Sequence, residues 1–258
     1  MIDSSKKVGY AGGMARLAAV IPAICALSGA LVLARTPAGD SSQQPAATGT
    51  LFGTVRLGPW LAQKRMKVSL YPATSRPVAL PEDNGLAGQL TNVVVYLESS
   101  PALKAGQPAQ TGSFKMEQLG ETFVPHILPV VAGTTVDFPN ADPIYHNVFS
   151  LSKASSFDLG RFPRGSSRSV TFDEPGVIKV FCHIHSDMSA VIFVLDHPYF
   201  AKPDSEGRFS IPGIPAGRYT VIGWHERARP IHRVVTIEPA GRTEITLAIP
   251  IEDEAHGQ

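Results

Sequence analysis

Residues 176–195 have the sequence Gly-Val-Ile-Lys-Val-Phe-Cys-His-Ile-His-Ser-Asp-Met-Ser-Ala-Val-Ile-Phe-Val-Leu. Two apolar runs in this stretch, Gly176 to Phe181 and Ala190 to Leu195, are rich in Val, Ile and Phe, which is typical of β-strands. The short polar loop between them includes a thiol, an imidazole and a thioether at regular spacing, on Cys182, His185 and Met188. The stretch therefore predicts two neighbouring strands whose connection holds a thiol, an imidazole and a thioether close together.

A second histidine stands far from this loop in the chain. His146 precedes Cys182 by 36 residues and lies in the run 142–149, Asp-Pro-Ile-Tyr-His-Asn-Val-Phe. One thiolate, two imidazoles and a weakly bound thioether are the ligands of a blue-copper electron-transfer site. Because these donors come from separate stretches, the pattern indicates a folded metal site rather than a local metal clip.

Three other interpretations of these residues compete with a copper site. The first is a zinc site, because histidine and cysteine are zinc ligands and the chain offers four of them here: His146, Cys182, His183 and His185. Thioether is a poor zinc ligand, however, so Met188 would then have no explanation. A Cys–His nucleophile needs a third group that orients the base, and this short turn offers none. A cysteine that only packs as a small hydrophobe would make the whole set a coincidence.

The segment from Phe123 to Val194 resembles a cupredoxin, the fold of the blue-copper proteins. The resemblance rests on the metal loop and on four further stretches: Phe123-Val124-Pro125, residues 131–140 (Val-Ala-Gly-Thr-Thr-Val-Asp-Phe-Pro-Asn), His146-Asn147-Val148 and Phe172-Asp173-Glu174-Pro175-Gly176. The gaps of two residues on both sides of His185 are most similar to amicyanin-type members, whereas plastocyanin-like members have a longer gap before the methionine.

This resemblance implies one type 1 copper, with His146, Cys182 and His185 as strong ligands and Met188 as the axial ligand. It also implies a supporting role for Asn147. The side-chain amide of Asn147 would connect the two ligand loops, and its backbone N–H would reach the Cys182 sulfur, contacts that hold the geometry and tune the potential.

The metal loop departs from the amicyanin type in composition. Ile184 and Ser186 stand where that type has prolines around its histidine, and Asp187 lies beside the site. The reduction potential and the choice of partner are therefore not carried over with the ligands.

Composition favours an all-β protein. Charged residues make up only 17% of the 258 residues, and 23 Gly and 22 Pro separate short apolar runs. No Gly-rich nucleotide loop follows a strand. The formal net charge of +1 gives no indication of nucleic-acid binding. We expect a cupredoxin Greek-key β-sandwich, over residues 114–197, combined with a second small β-sandwich.

The N-terminal segment 1–34 has the pattern of an export signal. Lys6, Lys7 and Arg16 precede an apolar stretch from Leu17 to Ala34. That stretch is also near the lower length limit of a membrane-spanning helix, so an inner-membrane anchor is the alternative. Residues 35–48 then form a polar linker of small residues. We expect the chain to be periplasmic or otherwise extracytoplasmic.

Export would leave a single cysteine. Of the two cysteines, Cys25 lies within the signal and Cys182 in the metal loop, so the exported part has no internal disulfide. A lone thiol in an oxidising compartment is at risk of oxidation, and metal ligation is a reason for it to persist.

The C-terminal region, residues 203–250, has a different character. Residues 207–225, Gly-Arg-Phe-Ser-Ile-Pro-Gly-Ile-Pro-Ala-Gly-Arg-Tyr-Thr-Val-Ile-Gly-Trp-His, resemble the transthyretin-like or carboxypeptidase-regulatory β-sandwich, which is generally structural or an interaction surface. Residues 49–113 include predicted strands at 50–57, 67–71 and 93–98, and two of these resemble the opening strands of the same module. Residues 49–113 either begin the cupredoxin or form part of a split sandwich.

The other histidines give weaker signals. His225, Glu226 and His232 could form a second metal site, although a Trp-His step at a strand end more often marks packing. His183 is expected to face away from the copper, because adjacent residues of an extended strand face opposite sides. His126 and His197 stand beside prolines and receive no role.

The function that we expect from the sequence is single-electron transfer between protein partners, without enzymatic activity. His185 would be the ligand nearest to solvent, with Ile144, Tyr145 and Ile184 as an apolar docking rim. By resemblance, a c-type cytochrome or a quinoprotein dehydrogenase would be the redox partner. The alternative is a copper-binding or delivery protein without electron transfer. A copper oxidase or nitrite reductase would need further copper ligands, for which His225 and His232 are the sole candidates.

Overall fold

The structure is a computed structural model, and it describes residues 47–58, 85–104 and 113–250. The predicted signal or anchor over 1–34, almost all of the linker and the predicted strand at 67–71 lie outside these ranges. Within them, neither of the two helices has the length and apolar character needed to cross a bilayer.

The prediction of an all-β protein is confirmed, because strands dominate the described ranges. The elements are β1 (Thr48–Leu57), α1 (Leu86–Leu90), β2 (Val94–Leu97), α2 (Pro101–Lys104), β3 (Phe114–Lys115), β4 (Glu117–Gln118), β5 (Phe123–Val124), β6 (Ile127–Val131), β7 (Thr134–Pro139), β8 (His146–Ser152), β9 (Ser155–Phe162), β10 (Ser167–Phe172), β11 (Gly176–Phe181), β12 (Ser189–Leu195), β13 (Phe200–Ala201), β14 (Arg208–Pro215), β15 (Gly217–Trp224), β16 (Ile231–Ile237) and β17 (Arg242–Ile249).

Strands β3 to β12 form what we name the metal-loop half, residues 114–195. Its main sheet has the order β6-β12-β11-β8-β9, and a smaller sheet has the order β10-β7-β3. Apolar side chains of both sheets, among them Phe138, Phe172, Ile178 and Ile192, share one core that also contains Cys182 and Met188. This arrangement is a cupredoxin-like β-sandwich.

The strands on either side of that half in the chain come together in two further sheets. Strand β1 pairs in parallel with β17 and antiparallel with β14, and β2 lies between β13 and β15 in a sheet of order β13-β2-β15-β16. We name this part the split sandwich half, residues 47–58, 85–104 and 196–250. Its resemblance to transthyretin-like modules stays a prediction.

The close approach of β1 to β17 explains why position 53 is a glycine. Leu51 and Val55 on β1 are buried, with Gly53 between them on the same face. A Cβ atom on Gly53 would lie 1.8 Å from the backbone oxygen of Ile245, so a residue without a side chain is required there. The first strand is therefore fitted closely to the last, almost two hundred residues later in the chain.

Strand β12 is buried on both faces. Ala190, Ile192 and Val194 face the core of the metal-loop half. The alternate residues Val191, Phe193 and Leu195 belong to a second apolar cluster with Ile127 and Val94, against which Tyr96 and Trp224 of the split sandwich half pack. The strand that leaves the metal loop is thus the strand on which the two halves meet.

Candidate metal centre

Strand pairing brings the remote histidine to the metal loop. His146 is the first residue of β8, and Cys182 directly follows β11. These two strands are antiparallel neighbours, with Phe181 paired to Phe149. Two backbone bonds close the loop on itself: Cys182 N–H donates to the Met188 carbonyl at 3.2 Å, and Met188 N–H donates to the His185 carbonyl at 3.1 Å.

Three potential ligand atoms converge at this point. The Cys182 sulfur lies 3.9 Å from Nδ1 of His146 and 3.9 Å from Nδ1 of His185. One donor atom from each residue lies within 4.8 Å of the others, and the two imidazole rings are 4.9 Å apart at an angle of 62°. Both Nδ1 atoms therefore lie next to the sulfur, close enough for one metal ion to contact all three donor residues.

The environment of Cys182 favours the thiolate. Burial raises the pKa of its thiol. A hydrogen bond with His146 and the backbone N–H groups of Asn147, Ile184 and His185 lower the pKa by more, so that it falls to about 6. The ordinary value is 9.0. The sulfur is therefore available as an anionic ligand near neutral pH, which metal binding requires.

Asp142 holds the far side of the His146 ring. Its Oδ2 accepts a hydrogen bond from Nε2 of His146 at 2.8 Å, which leaves Nδ1 directed at Cys182. The carboxylate also accepts from the backbone N–H groups of Gly120 and Glu121 at 2.6 and 2.8 Å. Burial lowers the pKa of His146, and the hydrogen bonds to Cys182 and Asp142 raise it by more. A carboxylate on the outer nitrogen of a ligating histidine fixes the tautomer and the ring orientation.

Sequence reasoning gave Asp142 no role. Its position four residues before His146 was visible, but this spacing has a meaning only in the folded loop. That loop is organised by Asn140, whose Oδ1 accepts from the Asp142 backbone and whose Nδ2 donates to the Ile144 and Phe162 carbonyls. Asn140 and Asp142 are the two residues of the site that the sequence analysis missed.

Asn147 links three segments around the sulfur. Its Oδ1 accepts from the backbone N–H of His183 at 3.3 Å, and its Nδ2 donates to Asp158 on β9 at 2.7 Å. Its own backbone N–H is directed to Cys182. The residue therefore joins β8, β9 and the metal loop at the position where the sequence suggested a supporting role.

The residues present fit copper better than zinc. Met188 is 1% exposed and belongs to the same apolar core as Cys182, so the core that contains the thiol also contains a thioether. His183, the fourth ligand in the zinc interpretation, is exposed and stacks on Phe149 with ring centroids 3.7 Å apart. Within the described ranges, only three strong donors converge, which suits a trigonal copper site with a weak axial group.

The residues of the suggested second metal site do not converge in the described part of the chain. His225 is buried, and its Nδ1 accepts from the Arg227 backbone at 3.1 Å. Glu226 accepts a hydrogen bond from His126, and His232 lies exposed on β16. The interpretation of the Trp-His step as packing agrees with Trp224, whose ring packs edge-on against Phe193.

Exposed side chains stand next to the two candidate histidine ligands in the chain. Tyr145 directly precedes His146 and is 58% exposed, and Ile184 directly precedes His185 and is 39% exposed. Ile144 is partly buried, as is His185 itself. Two of the three residues named as a docking rim, Tyr145 and Ile184, therefore lie at the surface.

Comparison with known proteins gives matches among solved structures alone. No protein-family model matches the chain, and no curated protein matches it in sequence. A copper-containing nitrite reductase from Thermus scotoductus is 26% identical over 38% of this chain and 27% of that chain, with a TM-score of 0.32. A purple cupredoxin from Nitrosopumilus maritimus is 27% identical over 29% of this chain and 82% of that chain, with a TM-score of 0.27.

A reduced amicyanin variant is 23% identical over 39% of this chain and 98% of that chain, with a TM-score of 0.31. This chain thus spans about a quarter of the nitrite reductase and nearly all of the amicyanin. Each similarity covers less than half of this chain.

Proposed function

We propose that this protein is an exported type 1 copper protein that carries single electrons between redox partners. The observation that supports this most directly is the convergence of the Cys182 sulfur and two imidazole nitrogens within 4.8 Å, beside the buried Met188. Copper held by these donors would accept and release one electron by cycling between Cu(II) and Cu(I).

The protein's own part in this function is to keep the ligands still. Fast electron transfer requires little ligand movement between oxidation states, and the donors are fixed by β8, by the closed loop after β11 and by Asp142 and Asn147. The thiolate is held by hydrogen bonds that do not depend on the metal. This rigidity favours an electron carrier over a delivery protein, whose site must open to release copper.

The proposed route for electrons is the partly exposed His185, bordered by Tyr145 and Ile184. A c-type cytochrome or a quinoprotein dehydrogenase is the class of partner that we propose, and the periplasm or another extracytoplasmic compartment is the proposed location. The chain would act as a carrier and not as an enzyme.

Loading with one equivalent of Cu(II) tests the proposal. We expect an intense visible thiolate-to-copper absorption that Cys182→Ser abolishes, because the thiolate is the one donor of the set that produces such a band. His183→Ala, which alters an exposed ring next to Cys182, is the control and should retain the colour. Repeated reduction and oxidation should leave the copper bound. A colourless Cu(II) complex would contradict the metal site, and loss of copper on reduction would favour the delivery alternative.

A further inference from the structure

The two halves of the molecule are joined at the end of β12 that leaves the metal loop. His126, just before β6, accepts the Val191 N–H on its backbone carbonyl at 2.8 Å. Its Nδ1 lies 3.1 Å from the backbone oxygen of Ser189, the residue after Met188. Its Nε2 lies 2.7 Å from Oε1 of Glu226 in the split sandwich half.

The chemistry of these contacts defines their direction. A backbone carbonyl and a carboxylate only accept hydrogen bonds, so in each of the two contacts the ring nitrogen of His126 is the donor. The ring thus donates to Ser189 on one side and to Glu226 on the other. It forms a link of two bonds from the split sandwich half to the residue that follows the axial ligand candidate.

The two residues before Glu226 are firmly packed. The preceding Trp224 packs on Phe193 of β12 with ring centroids 4.9 Å apart, and Phe193 also meets Tyr96 at 5.3 Å. His225 is 1% exposed, and its carbonyl and Nδ1 accept from the backbones of Ala228 and Arg227. The backbone next to Glu226 is therefore fixed by packed neighbours, while the side chain of Glu226 itself lies at the surface.

We propose that His126 and Glu226 are positioning residues through which the split sandwich half sets the placement of Met188, and with it the reduction potential of the bound copper. This inference rests on the proposed function. Met188 is held on its other side by bonds within the loop, to Cys182 and His185. The next residue, Ser189, pairs with Phe181 of β11, and its carbonyl oxygen lies at the His126 ring. A weak axial donor stabilises Cu(II) more than Cu(I), so a methionine freed to move away raises the potential.

The chain offers a matched control at the far end of the same strand. Lys104 of the split sandwich half forms an ion pair with Asp196 at 2.6 Å, directly after Leu195. This contact lies within the split sandwich half and holds the residue that follows β12, at the end of that strand opposite to the metal loop. Lys104→Met removes it and leaves His126 and Ser189 in place.

The experiment compares Glu226→Ala, Glu226→Gln and Lys104→Met in the full chain by two readouts. The first is the methyl NMR signal of Met188 in the metal-free protein, assigned among the five methionines by its loss in Met188→Leu. The second is the ratio of reduced to oxidised copper protein at one fixed potential. We expect Glu226→Ala to shift the methyl signal and to raise the ratio several-fold. Glu226→Gln keeps an oxygen that accepts from His126 and should restore both readouts, while Lys104→Met should change neither.

The proposal is overturned if Glu226→Ala leaves the methyl signal and the ratio at their wild-type values, or if Lys104→Met changes them as much. His126→Phe keeps an aromatic ring at this position without the two donors, and it should shift the methyl signal and raise the ratio as Glu226→Ala does. If Glu226→Ala does not fold, His126→Phe decides the test alone. Failure of the proposed function gives a different result. The wild type would then lack the thiolate-to-copper absorption, while the methyl signal in the metal-free protein would still decide whether Glu226 positions Met188.

Discussion

The two halves of the described chain bury different kinds of side chain. Seven of the nine buried polar or charged residues lie in the metal-loop half: Gln118, Thr134, Asn140, Asp142, His146, Asn147 and Ser150. The split sandwich half has His197 and His225, and its main core is built from apolar side chains and two tyrosines. A buried polar group is costly unless it is hydrogen-bonded. In the metal-loop half, four of the seven, Asn140, Asp142, His146 and Asn147, meet this cost by hydrogen bonds around the candidate site, whereas the split sandwich half buries only two polar residues within the described ranges.

The largest effects that we expect separate the two cores. Leu247→Ala in the split sandwich half and Ile178→Ala in the metal-loop half both truncate a fully buried side chain. Each should lower the free energy of unfolding by about 2–5 kcal/mol, because the cavity adds to the lost transfer energy. Only Ile178 shares a core with Cys182 and Met188, so only Ile178→Ala should also change the copper spectrum of the folded protein.

Denaturant unfolding followed by circular dichroism measures the first effect, and the visible spectrum of the copper-saturated variants measures the second. An equal change of the spectrum in both variants would show that the metal site does not distinguish the two cores.

The titration of Cys182 gives the second comparison. In the metal-free protein its thiol should titrate near pH 6 by ultraviolet thiolate absorbance, measured as the difference from Cys182→Ser. Since this pKa is lower in the folded than in the unfolded chain, the thiolate contributes stability that is complete above about pH 9 and is lost as the pH falls through about 6. The stability difference between wild type and Cys182→Ser should therefore grow between pH 6 and 9, and a thiol that titrates at its ordinary value would contradict the site geometry.

One of the two buried histidines of the split sandwich half differs from the candidate ligand His146 in the direction of its pKa shift. Burial lowers the pKa of His225 to about 4, and its Nε2 has no hydrogen-bond partner within the described residues. His146 has a raised pKa because Cys182 and Asp142 offset its burial. The contrast shows that burial alone does not make a histidine a candidate ligand. The hydrogen-bond partners of the ring determine whether its pKa is raised or lowered.

Replacing Met188 should change the reduction potential, whereas replacing a buried methionine elsewhere in the same core should not. Met188→Leu should keep the thiolate-to-copper absorption and raise the reduction potential, because an aliphatic chain donates nothing to Cu(II). Met116→Leu is the matched control, since Met116 is fully buried in the same core but lies on the connection between β3 and β4. Redox titration of both variants measures the effect. Complete loss of copper in Met188→Leu would mean that the residue is a strong ligand.

Local pattern was sufficient for the strands around the metal loop. The run Gly176 to Phe181 is a strand with the predicted bounds, and the run after Met188 begins one residue earlier than predicted, at Ser189. Alternation and β-branched residues encode such elements locally. The donor types around them were likewise visible, because Cys, His and Met side chains carry their chemistry in any fold.

Contacts between distant residues could not be predicted in this way. The pairing of β1 with β17 and the bond between His126 and Glu226 join residues a hundred or more positions apart. Nothing in the local sequence encodes which partner a strand edge or a polar group will meet. The role of Asp142 was invisible for a related reason, since the loop that turns it toward His146 depends on Asn140.

The smallest effect that we expect concerns partner docking, and it again contrasts the two halves. Ile184→Lys places one charge beside His185, at a surface where Tyr145 and Ile184 are exposed. Weak redox complexes use small interfaces, so one charge should slow electron exchange with the physiological partner and leave the copper spectrum unchanged. Val234→Lys is the matched control, because Val234 is 59% exposed on β16 of the split sandwich half. Stopped-flow exchange at low and moderate salt separates a general charge effect, which salt screens, from a lost apolar contact, which it does not. If Val234→Lys slows exchange and Ile184→Lys does not, the partner docks on the split sandwich half, and electrons then reach the copper by a route other than the His185 edge.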